Sequence, residues 1–362
     1  MIGSTFRLSK VRLAVSLTTL SLLGAGLAAA SGSPASAAVP IASSSASAVH
    51  IASSSASAAA GEPYVALGDS YASGVGTRSY IDDGTTCKRS PLAYASLISA
   101  AKGYSLNFRA CSGARVPDVT NNQISALSTS TKFVTISIGG NDAGFVDVVT
   151  ECALPAWASD CPGAVAGAQN YIRNTLPGSL GNLYSQISSR APGAKVVVVG
   201  YPKLFMGEDC NAGTYFSPED EALLNDTAVL LNDTTASRAS AAGFTYVNPI
   251  SRFTGHAVCD DVEWVNGLSS PIEESYHANA AGHRDGFTPL VSPPLTGAAT
   301  ATSPAVIADA EAAGPAQAAK QRTYAARDRH IEPEVFQPPS RELLEKLADE
   351  RGVDLDAWLA TH

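Results

Sequence analysis

From Tyr64 onward, short apolar runs of strand length alternate with longer helix-like stretches, and nothing else in this 362-residue chain constrains its fold as strongly. Strands that alternate with helices pair in parallel, because each crossover carries a helix back over the face of the sheet. The runs expected to form strands are Tyr64–Leu67, Phe133–Ile138, Lys195–Gly200 and Phe244–Val247, with a weaker candidate at Ser105–Phe108. Helices are expected near Pro91–Ala101, Ala164–Ser189 and Pro218–Ala242. In the last of these, Pro218, Glu219 and Asp220 make a sound helix start and Gly243 a sound stop.

Outside this region the composition changes. Arg7, Lys10 and Arg12 form a positive start, an apolar run follows from Leu13 to Ala30, and Ala35-Ser36-Ala37 reads as a cleavage signal. That layout is a secretory signal peptide over residues 1–38, and it implies export. Residues 39–62 are an Ala/Ser tract in which Ile41–Ala48 is repeated at Ile51–Ala58. A tract with so little apolar bulk reads as a linker. Past Phe287, residues 289–320 are rich in Pro, Ala, Thr and Gly and read as a second linker. In residues 321–362 the spacing of Leu343, Leu344, Leu347, Val353, Leu355, Trp358 and Leu359 predicts one or two amphipathic helices. They could dock on the preceding domain or on a partner, or form a weakly ordered appendage. Once the leader is cleaved, no other segment is long and apolar enough for stable membrane insertion.

Charge and cysteines narrow the function. The formal charge is −9 with no basic run, which argues against nucleic acid as a partner. The six cysteines, Cys87, Cys111, Cys152, Cys161, Cys210 and Cys259, contain no Cys-x-x-Cys pair, so disulfides in an oxidising compartment fit better than a zinc site. Sequential pairing is the simplest of the possible connectivities. No His-Glu-x-x-His spacing is present, so a zinc hydrolase is disfavoured and no metal is expected.

Four short segments fall where a strand should end and a loop begin, the edge at which open parallel sheets bind ligands. Gly68-Asp69-Ser70-Tyr71 offers a serine hydroxyl on a sharp turn, a weak nucleophile until a base takes its proton. It is not the Gly-x-Ser-x-Gly elbow, because position 72 is Ala. Gly113, in Cys111-Ser112-Gly113-Ala114, lets a backbone amide approach a ligand closely, although a turn pinned by Cys111 would look the same. Gly139-Gly140-Asn141-Asp142 follows a buried strand, and the Asn141 amide could donate to an oxyanion, although such residues also make ordinary turns. Finally, His277 precedes a helix start at Asn279, and histidine is the usual base for serine. His283 is expected to lie within that helix.

In this order, the four segments resemble those of the SGNH (GDSL) hydrolase family, over about Tyr64 to Phe287. The six cysteines, Cys111-Ser112-Gly113-Ala114, the Gly255–Cys259 stretch and Trp264–Gly267 resemble its secreted actinobacterial lipase and esterase branch. The resemblance implies a hydrolase domain over residues 63–288, an α/β fold built as a three-layer α/β/α sandwich on a flavodoxin-like parallel sheet, and no cofactor. It makes Ser70 the nucleophile and His277 the base. The oxyanion donors would be the Ser70 and Gly113 amides and the Asn141 side chain, with Asp69 steadying the nucleophile loop. Two positions depart from the family pattern. The place usually held by Asp, three residues before the histidine, holds Glu274, so either Glu274 or a backbone carbonyl orients His277. Ala278 stands where proline is usual.

The function implied is a secreted serine ester hydrolase, acting as a monomer on a small-molecule or lipid ester. Acyl lipids fit best. An acetylesterase acting on polysaccharide and a non-catalytic surface-binding module are the alternatives.

Overall fold

The computed structural model describes residues 61–361. The expected signal peptide and all but the last two residues of the Ala/Ser tract lie outside the described residues. A five-stranded, wholly parallel sheet has the order β2-β1-β3-β4-β5. The strands are β1 (Pro63–Gly68), β2 (Ser105–Phe108), β3 (Phe133–Ser137), β4 (Lys195–Val199) and β5 (Thr245–Val247). Val65, Leu67, Val134, Ile136 and Val196 to Val199 are buried, as strands covered on both faces require. Among the described residues, no helix is long and apolar enough to cross a membrane.

The major helices are Tyr94–Lys102, Phe145–Cys152, Cys161–Asn174, Leu176–Arg190 and Pro218–Ala241. The long helix expected over Ala164–Ser189 is two helices. The second carries Pro177 in its first turn, where a missing N–H costs nothing and a continuous helix could not pass. The last of the five starts as expected, with Ser217 and Asp220 forming a reciprocal cap. Disulfides join Cys87 to Cys111, Cys152 to Cys161 and Cys210 to Cys259.

The second expected linker is not a linker. Residues 288–322 form three helices, Thr288–Thr296, Pro304–Ala312 and Gly314–Arg322. Pro289, Pro304 and Pro315 sit in their first turns and start them rather than break them. The third covers β2, the edge strand. Gln317 and Lys320 both donate to the Leu106 carbonyl, at 3.3 and 2.9 Å, satisfying an acceptor that an open edge leaves unpaired.

Beyond it, Asp328 is fully buried between two fully buried arginines, 2.7 Å from Arg89 and 2.6 Å from Arg109. Asp83 pairs with Arg89 from the other side. From Ile331 to Gln337 the chain has no regular secondary structure, and it ends in the helices Arg341–Arg351 and Leu355–Leu359. Leu344, Ala348 and Leu355 pack with Leu154 and Ala158, and Trp358 packs edge-on against Trp157 and Tyr215. Of the alternatives left open for residues 321–362, docking on the domain is the one the structure displays.

Removing one partner of a buried ion network strands the others in a medium that does not solvate them. Asp328→Ala is therefore expected to lower the unfolding free energy by about 3–5 kcal/mol in urea titrations. A loss below about 1 kcal/mol would mean that the arginines find water, as they do at a surface.

Candidate active site

The register of β1 on β3 places Gly68 beside Ser137. At this point the chain turns with φ +126° at Gly68, and a Cβ there would lie 2.3 Å from the Ser137 carbonyl oxygen, so only glycine fits. Gln123 clamps the same residue, accepting from the Gly68 N–H and donating to the Gly68 carbonyl, both at 2.8 Å. Asp69 caps the short helix Ser70–Ser73, its Oδ1 accepting from the Tyr71 N–H at 3.0 Å. Its other oxygen accepts from the Tyr201 hydroxyl, and the same hydroxyl accepts from the Gly140 N–H at 3.3 Å. Burial pushes the Asp69 carboxyl up to about 7, against the pull of these donors. Ser70 is thus presented at the first position of a helix, where its own N–H has no intrahelical acceptor.

The other three segments converge on it. Gly113 lies in the left-handed region at φ +80°, in a turn held by the Cys87–Cys111 bridge. Asn141 donates from Nδ2 to the Ala114 carbonyl at 3.0 Å, which leaves its second amide proton for a ligand. The neighbouring Asp142 accepts from the Val116 N–H at 3.0 Å and is pushed up to about 6 by burial. Each block is therefore pinned to the next by a short polar contact.

His277 completes the set. Its Nε2 lies 2.8 Å from Ser70 Oγ and its Nδ1 lies 2.9 Å from the Ser275 carbonyl oxygen. A carbonyl only accepts, so Nδ1 carries the proton and Nε2 is free to accept the serine's. That is the tautomer a base requires. The carbonyl reaches the ring because Tyr276 adopts φ +60°, a conformation costing about 1–3 kcal/mol in a non-glycine residue. The Tyr276 ring is buried against Phe205, Phe216 and Phe336, and its carbonyl accepts from the Tyr71 hydroxyl at 2.6 Å. Burial lowers the His277 pKa to about 4, with the hydrogen bond to Ser275 opposing the shift.

Glu274 does not take part. Its carboxylate accepts from the Tyr80 hydroxyl at 2.6 Å and pairs with Arg78 at 3.4 Å, so it ties the histidine loop to residues 78–80. The expectation that Glu274 could orient His277 is corrected: the Ser275 carbonyl does so. His283 is fully buried and accepts at Nδ1 from the Tyr94 N–H, a packing residue, as its expected place within the helix requires. Sequence reasoning missed Tyr71, Gln123 and Tyr201, which bond the site together. They carry no periodic or spacing signal that would single them out.

An apolar crevice opens beside Ser70. Its walls come from the helices Phe145–Cys152, Cys161–Asn174 and Pro218–Ala241, with Phe145, Val149, Ile172, Leu224 and Leu231 among them.

The sequence model of the GDSL-like lipase/acylhydrolase family matches residues 66–284, which takes in all four segments. The chain belongs to that family. It is a carboxylic ester hydrolase. Lipase 1 of Streptomyces coelicolor is 45% identical over 237 residues, 65% of this chain and 87% of the relative. The crystal structure of an extracellular lipase from Streptomyces rimosus aligns at 42% identity and TM-score 0.61, covering 64% of this chain and 99% of the lipase. That of a phospholipase A1 from Streptomyces albidoflavus aligns at 42% identity and TM-score 0.62, covering 65% and 100%.

Two outcomes test this geometry. With His277 as the proposed base, which must be neutral to act, kcat/KM should fall with pH only through about 4 rather than near the usual 6.5. An acid limb between pH 6 and 7 would mean that the ring is well solvated. Glu274→Gln should keep kcat within about tenfold of wild type, where loss of a triad carboxylate costs about 10⁴. A loss of that larger size would return Glu274 to the catalytic set.

Proposed function

We propose that this chain is an exported serine lipase in which Ser70 and His277 carry the chemistry and the crevice beside Ser70 takes the acyl chain of a lipid ester. The 2.8 Å contact between Ser70 Oγ and His277 Nε2, in the base's tautomer, is the observation that carries the reading. Ser70 Oγ attacks the ester carbonyl carbon as its proton passes to Nε2. The negative charge that develops on the carbonyl oxygen is held by the Ser70 and Gly113 N–H groups and the free Asn141 amide proton. Each such donor is worth about 2.7–4 kcal/mol in comparable enzymes. When the tetrahedral species collapses, His277 hands its proton to the departing alcohol. Water then attacks the acyl-enzyme with His277 again as base, releasing the acid and restoring Ser70.

A hydrocarbon tail gains about 0.8 kcal/mol for each methylene buried. The crevice, lined by Val149, Ile172, Leu224 and Leu231, supplies that burial, whereas an acetyl group would leave it empty. The lipase and phospholipase A1 relatives agree with an acyl-lipid substrate. Export fits the basic-apolar-small leader and the three disulfides.

Hydrolysis of p-nitrophenyl esters from acetate to palmitate tests both parts. Ser70→Ala should abolish turnover while leaving the thermal midpoint intact, and the wild-type optimum should fall on a medium or long chain. Wild-type turnover in Ser70→Ala would sink the mechanism. An optimum at acetate would sink the lipid assignment.

A further inference from the structure

The space around Ser70 has two halves, which share Ser70, Asn141 and Phe145. One is the apolar crevice. The other, about 330 Å³, is bounded by His277, and its far wall is Pro333, Glu334 and Val335, residues from the C-terminal extension. Chemistry assigns the halves. The leaving alcohol takes its proton from His277 Nε2, so the alcohol must lie in the half that contains His277 and the acyl chain in the half that does not.

The wall is rigidly mounted. On its N-terminal side, Asp328 is locked between Arg89 and Arg109 and Ile331 is buried. On its C-terminal side, Phe336 is buried edge-on against Tyr276 at 5.0 Å. Between them, Glu334 pairs with Arg115 at 2.6 Å. The strand of chain passes so close to Gly113 that a Cβ there would lie 2.4 Å from the Pro333 Cα. Residues 331–337 lie beyond the family match, which ends at residue 284. About two thirds of this chain covers the whole of the two Streptomyces structures.

We propose that the segment Ile331–Gln337 is a specificity strap that sets which alcohols the enzyme releases, with Pro333 and Val335 limiting the bulk of the alcohol that fits beside His277. The proposal rests on the Ser70–His277 mechanism. Val335 is only half-buried, so its size can be changed without opening the core.

The test compares kcat/KM for ethyl octanoate and cyclohexyl octanoate in wild type, Val335→Ala and Val335→Trp, alongside the acyl-length profile of ethyl esters. Intrinsic leaving-group reactivity cancels when the cyclohexyl-to-ethyl ratio is compared between variants. Val335→Ala should raise that ratio about tenfold and Val335→Trp should lower it by a similar factor, the scale of one hydrocarbon group in a binding pocket. The acyl-length optimum should stay in place in both. A ratio within twofold of wild type in both active variants would overturn the strap and leave the hydrolase mechanism standing. A shift of the acyl optimum together with the ratio would also overturn it, since the segment would then be supporting the whole site. Wild type that hydrolyses neither ester would overturn the mechanism, and the strap with it.

Discussion

The close approach of β1 and β3 at their carboxyl ends is the constraint on which the site depends. Gly68 faces Ser137 with no room for a Cβ, so the two chains leave the sheet side by side. One immediately delivers Ser70; the other, four residues past Ser137, delivers Asn141. The edge strand β2, on the far side of β1, delivers Gly113 through a loop tied back by its disulfide. Parallel strands put all their carboxyl ends on one edge, so three separate loops can address one atom. Only His277 arrives from elsewhere, and its loop is brought in by the bond from the Tyr71 hydroxyl to the Tyr276 carbonyl.

Orienting a base with a carbonyl rather than a carboxylate has a physical consequence. Either acceptor fixes the tautomer, but a carboxylate also stabilises the imidazolium, which a neutral carbonyl does only through its dipole. With burial unopposed by a nearby negative charge, the ring stays neutral well into acid, to about pH 4. In the proposed reaction the base is therefore ready at any pH above that, while the imidazolium it forms must be stabilised mainly by the oxyanion it faces. The strained Tyr276 is the device that aims the carbonyl. Its ring is held by an aromatic cluster to which Phe336 of the C-terminal extension contributes.

What the sequence made legible was whatever is written locally. The strands announced themselves as apolar runs, including Ser105–Phe108, and the four loops carried their chemistry in three or four adjacent residues. The orientation of His277 was not legible, because Glu274 and the Ser275 carbonyl compete at nearly the same place, and only the left-handed turn at Tyr276 decides between them. Nor were the helices of residues 288–322, since alanine and proline look alike in a linker and in a helix that begins with proline. Burial of Asp328, Arg89 and Arg109 was hidden too. Charges so far apart in sequence give no sign that they will meet inside a core.

That buried cluster also explains why the extension belongs to the domain rather than trailing from it. Arg89 and Arg109 are completely enclosed, and Asp83 alone cannot neutralise both. An isolated buried guanidinium is so costly that a folded core lacking Asp328 would have to open there to admit water. Covering β2 and filling the space over Leu154 and Ala158 add apolar and edge contacts to this ionic one. Because the anchors flank residues 331–337 in sequence, the segment between them has little freedom to leave the site that it borders. A wall held in this way can discriminate by shape, since a loose one would yield to a bulky alcohol at small energetic cost. Stability and selectivity are thus expected to reside in neighbouring residues of one segment, with Asp328 and Phe336 holding it and Pro333 and Val335 facing the substrate.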